Sequence, residues 1–365
     1  MSDSTAFNAI LLFCMCWICL LLALYCYLIT RKWISNKRRN KIAVWSSFAS
    51  MPDSPIERYV TMGETSRRIS PYHPWQWRAL EAYLTHRLRV AGTQSEHERV
   101  YRLAEELYGP LYRNRLNDRK AEVRLRTLAQ VGMFRMKGLH EEVSTIVTGK
   151  RIKPEELFAA LRVLAAFQDK KLLDWLLGVY GPLPLLSDHR YRQLLMTLGT
   201  ELLEELIDRF DMGNDLLQRN LLDVLRTRNI RTEHYLALIE HLLCSSTDEL
   251  RIRALKAAAG FGYLSQEAEE AHFVRYSGWR QYPWEERLMA ARLMGEIKNA
   301  EYLKLLEQMI GDDRYAVRIE AAQSIGRYSQ GDAHLARIAS MHADRYAREA
   351  AEEMLERRSY ERNVE

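Results

Sequence analysis

The feature that most restricts this chain is a run of 21 residues without a charge, Ala9 to Ile29, reading AILLFCMCWICLLLALYCYLI. Wound as an α-helix it would measure ~31 Å, against a bilayer hydrocarbon core of about 30 Å. A backbone crossing lipid must close its own hydrogen bonds, so a helix is expected. Tyr25, Tyr27 and Trp33 stand at the charged end of the run, where amphipathic rings settle at a membrane interface. A cleaved signal peptide would need a basic leader and a small-x-small site. The first nine residues hold only Asp3, and no such site follows. Nor does the run read as a lipoprotein signal, because bulky Tyr25 precedes Cys26. The expectation is a short extracytoplasmic tail at 1–8 and a single retained transmembrane helix over 9–30.

Six basic residues follow directly: Arg31, Lys32, Lys37, Arg38, Arg39 and Lys41. By the positive-inside rule they stay in the cytoplasm, which puts the N-terminus outside and the C-terminal domain inside. They can also touch anionic headgroups, although setting topology is reason enough for them. Beyond residue 41 there remain 47 basic and 47 acidic side chains. A neutral domain argues against a nucleic-acid binder, which needs a basic footprint. The balance is uneven, with 18 basic and 10 acidic groups in 64–153 but 28 and 35 in 154–365. Only Cys244 of the five cysteines lies outside the apolar run, so no intrachain disulfide can form in the soluble part. A reducing compartment permits that.

Residues 31–73 read as a basic juxtamembrane segment and linker. Its part from 42 on, containing SSFASMPDSP and the helix-breaking SPYHP, holds the rest away from the bilayer. From Trp75 the pattern turns helical, as in WQWRALEAYLTHRLRV and ERVYRLAEELYGPLY, and 74–114 are expected to form capping helices.

After residue 115 the chain repeats itself. AEVRLRTLAQVG (121–132), WEERLMAARLMG (284–295) and YAVRIEAAQSIG (315–326) each place an Arg eight residues before a Gly: Arg124 and Gly132, Arg287 and Gly295, Arg318 and Gly326. A fourth copy, LRIRALKAAAGFG at 250–262, is offset by one, with Gly262 nine residues after Arg253, and YAREAAEEML (346–355) is a degenerate last copy. Paired alanines (Ala290, Ala291; Ala321, Ala322) allow close helix approach, and larger apolar residues at helical spacing fill the space between. The glycines are expected to form left-handed caps, and Asp118 and Asp313 to cap the helices that follow them.

At these residues the chain resembles the HEAT-repeat family, including the bacterial HEAT-like repeats of the phycobilisome-lyase type. The resemblance covers roughly 115–358 and implies an all-α fold: an α-solenoid of about seven helix pairs in a right-handed superhelix, preceded here by the single transmembrane helix and followed by a charged tail at 359–365. It also implies an Asp–Arg ladder, matched by Asp118 with Arg124 and Asp313 with Arg318. Where the copy at 287 offers only Pro283 or Glu285, the ladder is expected to be interrupted.

No phosphate-cradling loop, nucleophile elbow or HExxH occurs. His234 and His241, seven apart, could share a helix face near Cys244, but a metal would need further converging ligands. The resemblance extends to enzymes such as deoxyhypusine hydroxylases, which hold iron with several His-Glu pairs; this chain has one, His140-Glu141. Phycobilin lyases and DNA glycosylases also carry such repeats, but an anchor has no evident use in the first and a neutral domain does not suit the second. No metal, cofactor or catalytic residue is therefore expected. The best binding feature is FVRYSGWRQYPWEERL (273–288), where Phe273, Arg275, Tyr276, Trp279, Arg280, Tyr282 and Trp284 combine the residue types that dominate interface hot spots. The alternative is that these rings pack the turn onto its neighbours. The reading is a membrane-tethered scaffold or adaptor, not an enzyme. Its partner would be a membrane-associated protein, for instance in a polysaccharide glycosyltransferase system, with no nucleic acid and no small-molecule substrate. An enzyme or ligand receptor in the concave groove, or an anionic-lipid or polyanion binder, are the competing readings.

Overall fold

The computed structural model describes residues 2–65, 70–90, 92–149, 152–180 and 187–364, and among these the regular structure is helical, with no strand. The chain divides into two compact units, 1–163 and 164–365.

The first unit begins with α1 (Ser2–Ala49), α2 (Pro55–Met62), α3 (Pro74–Arg89) and α4 (Gln94–Leu116). α1 is longer than the expected span. It continues through the basic cluster to Ala49, so much of the expected linker is helix. The stretch from Trp17 to Ala49 is long and apolar enough to cross a membrane, and its most apolar 18 residues are not buried in the fold. Beyond it the supposed connector orders itself. Ser54 accepts from the Glu57 N–H (3.0 Å), Pro55 takes the first helical position, and α2 follows. Ile56, Tyr59 and Val60 of α2 are buried at helical spacing. Arg99 of α4 caps the end of α2 through the Val60 and Thr61 carbonyls, at 2.7 and 2.8 Å. SPYHP does break the chain, and α3 starts inside it at Pro74.

Tyrosines with satisfied hydroxyls tie α2, α3 and α4 together. Tyr83 donates to Glu57, Tyr108 to the Trp77 carbonyl (2.6 Å) and Tyr112 to Glu81 (2.8 Å). Each buries a large ring while its polar tip keeps a partner. α5 (Ala121–Met133), α6 (His140–Val147) and α7 (Pro154–Phe167) follow, the last of these running across the division between the units.

The second unit holds α8 (Lys171–Leu176), α9 (Asp188–Thr197), α10 (Thr200–Asp208), α11 (Asp215–Thr227), α12 (Glu233–Leu243), α13 (Asp248–Phe261), α14 (Gln266–Tyr276), α15 (Trp284–Ile297), α16 (Ala300–Met309), α17 (Tyr315–Gly326), α18 (Gly331–Met341) and α19 (Arg345–Val364). The odd helices from α9 to α19 pack each on the next, with α12, α16 and α18 against their flanks. The alanine pairs explain this. Ala290, Ala291, Ala321 and Ala322 are wholly buried, as are Ala254, Ala258 and Ala351. Flanking Leu and Ile side chains fill the space, each worth about 1.5–3 kcal/mol when buried. The expected tail from 359 is wound into α19.

Candidate protein-interaction surface

The repeated Arg is the fourth residue of its helix and grips the turn behind it. Arg124, Arg251, Arg287, Arg318 and Arg348 donate to the carbonyls of Asp118, Ser245, Tyr282, Asp312 and His342, at 2.6, 2.8, 3.0, 2.8 and 2.6 Å. These carbonyls face a turn with no helical donor, and the guanidinium fork supplies one. In α11 the fourth residue is Gln218, which reaches the Phe210 carbonyl at 3.1 Å. The irregular middle of the chain thus keeps the position with a different side chain.

Three corrections to the sequence reading follow. In the copy at 250–262 the repeat residue is Arg251; Arg253 turns to Asp223 and Glu249 instead. The two rungs expected within a copy, Asp118 with Arg124 and Asp313 with Arg318, do not form, although Arg251 does pair with Asp248 of its own helix. The Asp118 carboxylate accepts from the Lys120 N–H (2.8 Å), the Asp313 carboxylate pairs with Arg287 of the preceding copy (2.7 Å), and Arg318 donates to the Asp312 and Asp313 carbonyls instead. The rungs run to the next copy: Arg124 to Glu156, Arg251 to Glu286, and Arg287 to Asp312 and Asp313. The copy at 287 is therefore joined, not interrupted. Glu286 and Asp312 are buried, so each rung places a carboxylate where only a paired charge is tolerated.

Of the four repeat glycines, Gly262 is the expected left-handed cap, closing α13, and the other three are not. Positive φ is found at Gly262 (+72°), but Gly132, Gly295 and Gly326 keep ordinary helical backbone. Their use is close approach: a Cβ on Gly295 would lie 2.5–2.9 Å from the Oγ, Cβ and Cα of Ser324 on α17.

The turn between α14 and α15 divides the seven candidate residues. Tyr276 and Trp279 are buried, at 1% and 4% exposure. Tyr276 donates to Glu286 (2.7 Å), and the Arg287 and Arg280 guanidinium carbons lie 5.9 and 4.7 Å from the Trp279 ring centre. Phe273, Arg275 and Tyr282 are half-buried, with Arg275 5.1 Å from the Tyr282 ring centre. Arg280 and Trp284 are exposed. Part of the cluster therefore packs the turn, and part faces solvent.

Sequence reasoning missed where that exposed part continues. Trp284 opens α15, Tyr315 opens α17 and Tyr346 is second in α19, so successive packed helices each present a ring at the same end. Tyr315 and Tyr346 are 59% and 58% exposed. Arg318 lies between them, 5.8 and 5.1 Å from the two ring centres. The signal was present in the aligned copies, WEER, YAVR and RYAR.

Of the basic cluster, Arg31, Lys32, Lys37, Arg39 and Lys41 are exposed along α1, with Lys37 4.9 Å from the Trp33 ring centre. The Arg38 side chain lies outside the described residues. His234 pairs with Asp208 (3.0 Å) and Cys244 is exposed. Among the described residues no three His, Cys, Asp or Glu converge on a metal position. One histidine is deeply buried: His272 lies within 3.0 Å of the Tyr302 hydroxyl, and burial, with the nearby Arg275 charge, pushes its pKa down to about 3.

Residues 280–356 match the family model for HEAT repeats. Over this stretch the chain is similar to HEAT repeats. The stretch contains the Arg287 rung, the alanine pairs and the three exposed rings. A search of the curated proteins finds no match. Among solved structures the chain is similar to an engineered protein of the Northeast Structural Genomics Consortium, at 14% identity over 86% of this chain and 88% of that one, TM-score 0.32. It is also similar to human deoxyhypusine hydroxylase in complex with glycerol (15%, 88% and 98%, TM-score 0.27) and to a second engineered protein of that consortium (15%, 67% and 94%, TM-score 0.25).

Proposed function

We propose that the chain is a membrane-tethered HEAT-repeat scaffold that binds a protein partner at the cytoplasmic face through the exposed rings of its C-terminal segment. The observation that carries this is the HEAT-repeat match over 280–356 together with the row Trp284, Tyr315 and Tyr346 on that segment. HEAT repeats generally serve as protein-interaction scaffolds, and stacked repeats offer extended binding surfaces. Trp, Tyr and Arg are the residues that dominate binding energy. Arg280 and Arg318 flank the rings, so the patch suits a partner with apolar residues set among carboxylates.

The tether rests on α1, whose apolar stretch is unburied and is followed by the basic cluster that sets a cytoplasmic orientation. A partner in the same membrane then meets the repeats at raised effective concentration. The test is affinity purification from solubilised membranes, comparing the intact protein with a Trp284→Ala, Tyr315→Ala, Tyr346→Ala triple variant. Loss of the same partner from the variant supports the reading. An unchanged set of partners overturns it.

A further inference from the structure

A groove of ~480 Å³ lies beside α1 just past its apolar run, between that helix and α3. Arg31 and Arg39 of α1 and Arg78 of α3 all line it. Three guanidinium groups in one groove repel each other unless something negative joins them. No carboxylate lines the groove, and among the described residues none of the three arginines takes part in an ion pair, whereas many other arginines of this chain do.

The rest of the lining is equally specific. Tyr27, Ile34 and Ile42 run along it, and Thr30 and Ser35 complete the lining. Positions 27, 31, 34, 35, 39 and 42 recur at helical spacing and so form one stripe of α1. The stripe begins inside the last apolar turn, at Tyr27, and continues into the charged stretch. Side chains on a helix lean towards its N-terminus, which for α1 is the direction of the apolar run. Arg39 therefore leans back towards Arg31.

We infer that this groove is a binding site for an anionic phospholipid, with the headgroup phosphate held by Arg31, Arg39 and Arg78 and the start of an acyl chain against Tyr27 and Ile34. Guanidinium groups pair with phosphate oxygens through two parallel hydrogen bonds, and because a choline or ethanolamine ammonium offsets the phosphate charge, three arginines favour a headgroup of net negative charge. A free phosphate would use the arginines and leave the apolar stripe in water, so the lining favours a lipid. Arg78 gives the site a role beyond topology. It belongs to α3, 39 residues along the chain from Arg39, so a bound headgroup bridges the anchor to the first packed helices of the soluble part.

The inference rests on the reading of α1 as a membrane span, and the experiment separates the two. Alkaline carbonate extraction of membranes from cells making the full chain tests the span; release into the supernatant overturns both statements. Native mass spectrometry of the full chain in mild detergent, with phosphatidylglycerol or phosphatidylcholine added, tests the site. The wild-type protein should retain phosphatidylglycerol in preference to phosphatidylcholine. Arg78→Gln should lower that retention roughly fivefold, the order expected of one basic residue at an anionic surface. Lys37→Gln, which removes a charge from a different groove on α1, should leave it unchanged. Glycerol phosphate at millimolar concentration should not displace the lipid. Equal retention of both lipids, full retention by Arg78→Gln, or displacement by glycerol phosphate would each overturn the lipid site while leaving the span intact. Arg78 is exposed, so a thermal melt within a few degrees of wild type confirms that the variant is folded.

Discussion

Arg287 and Asp312 meet as two parallel hydrogen bonds, Nε to Oδ2 and Nη2 to Oδ1, both at 2.8 Å, across the joint between α15 and the turn that opens α17. Asp312 is buried and also accepts from the Arg314 N–H. Arg287→Met should therefore leave a buried carboxylate without its counter-charge and cost about 3–5 kcal/mol. Urea unfolding of the full chain in detergent would measure it. A loss under 1 kcal/mol would mean that water reaches Asp312.

Gly295→Ala should destabilise by about 1–3 kcal/mol, because the added methyl meets the Ser324 backbone as well as its side chain and α15 and α17 must part. Gly260→Ala is the contrasting case. Its Cβ would meet only the Arg226 side chain at 3.8 Å, and relief from helical glycine should stabilise by up to about 1 kcal/mol. The same melts report both variants.

The two tryptophans of the 273–288 turn should separate cleanly. Trp279→Ala removes a buried ring and should cost about 3–5 kcal/mol. Trp284→Ala removes an exposed ring and should leave the melting temperature within a few degrees while weakening partner binding.

His272 predicts a pH dependence whose sign is fixed. Burial holds its folded pKa near 3, below the ordinary value of 6.5, so the folded state keeps it neutral. Below about pH 6.5 the unfolded chain binds a proton that the folded one refuses. The stability linked to this residue is full above that pH and falls by about 1.4 kcal/mol per pH unit towards pH 3. His272→Gln should flatten that part of the stability profile between pH 6.5 and 4.5, followed by thermal unfolding at half-unit steps.

The helical repeat was legible because its spacing is a packing rule: paired alanines and an Arg–Gly interval recur wherever helices must approach closely. What spacing could not decide was direction. Arg251 and Arg253 sit two residues apart on α13, about 200° around the helix, and either could serve as the repeat residue until the Ser245 carbonyl and Glu286 select Arg251. The rungs were read within a copy because Asp118 and Arg124 are near in sequence, whereas Glu156 is 32 residues from Arg124 and becomes its neighbour only by stacking. α2 was hidden among Ser, Pro and Met. Those same residues supply its cap, with Ser54 at the N-cap and Pro55 in the first position. In the binding surface, the seven residues of one turn stood out by composition, but Tyr315 and Tyr346 belong with Trp284 only once the helices lie side by side.

Arginine rungs tie α13 to α15 and α15 to α17, but among the described residues no ion pair of this kind joins α17 to α19; there the Tyr315 hydroxyl meets Glu353, Arg318 lies against the Tyr346 ring, and buried alanines pack between. α19 is held to α18 instead, where Arg358 and Arg362 both pair with Asp332. One guanidinium, that of Arg318, braces both Tyr315 and Tyr346, so a partner closing on the three rings would meet two of them already coupled.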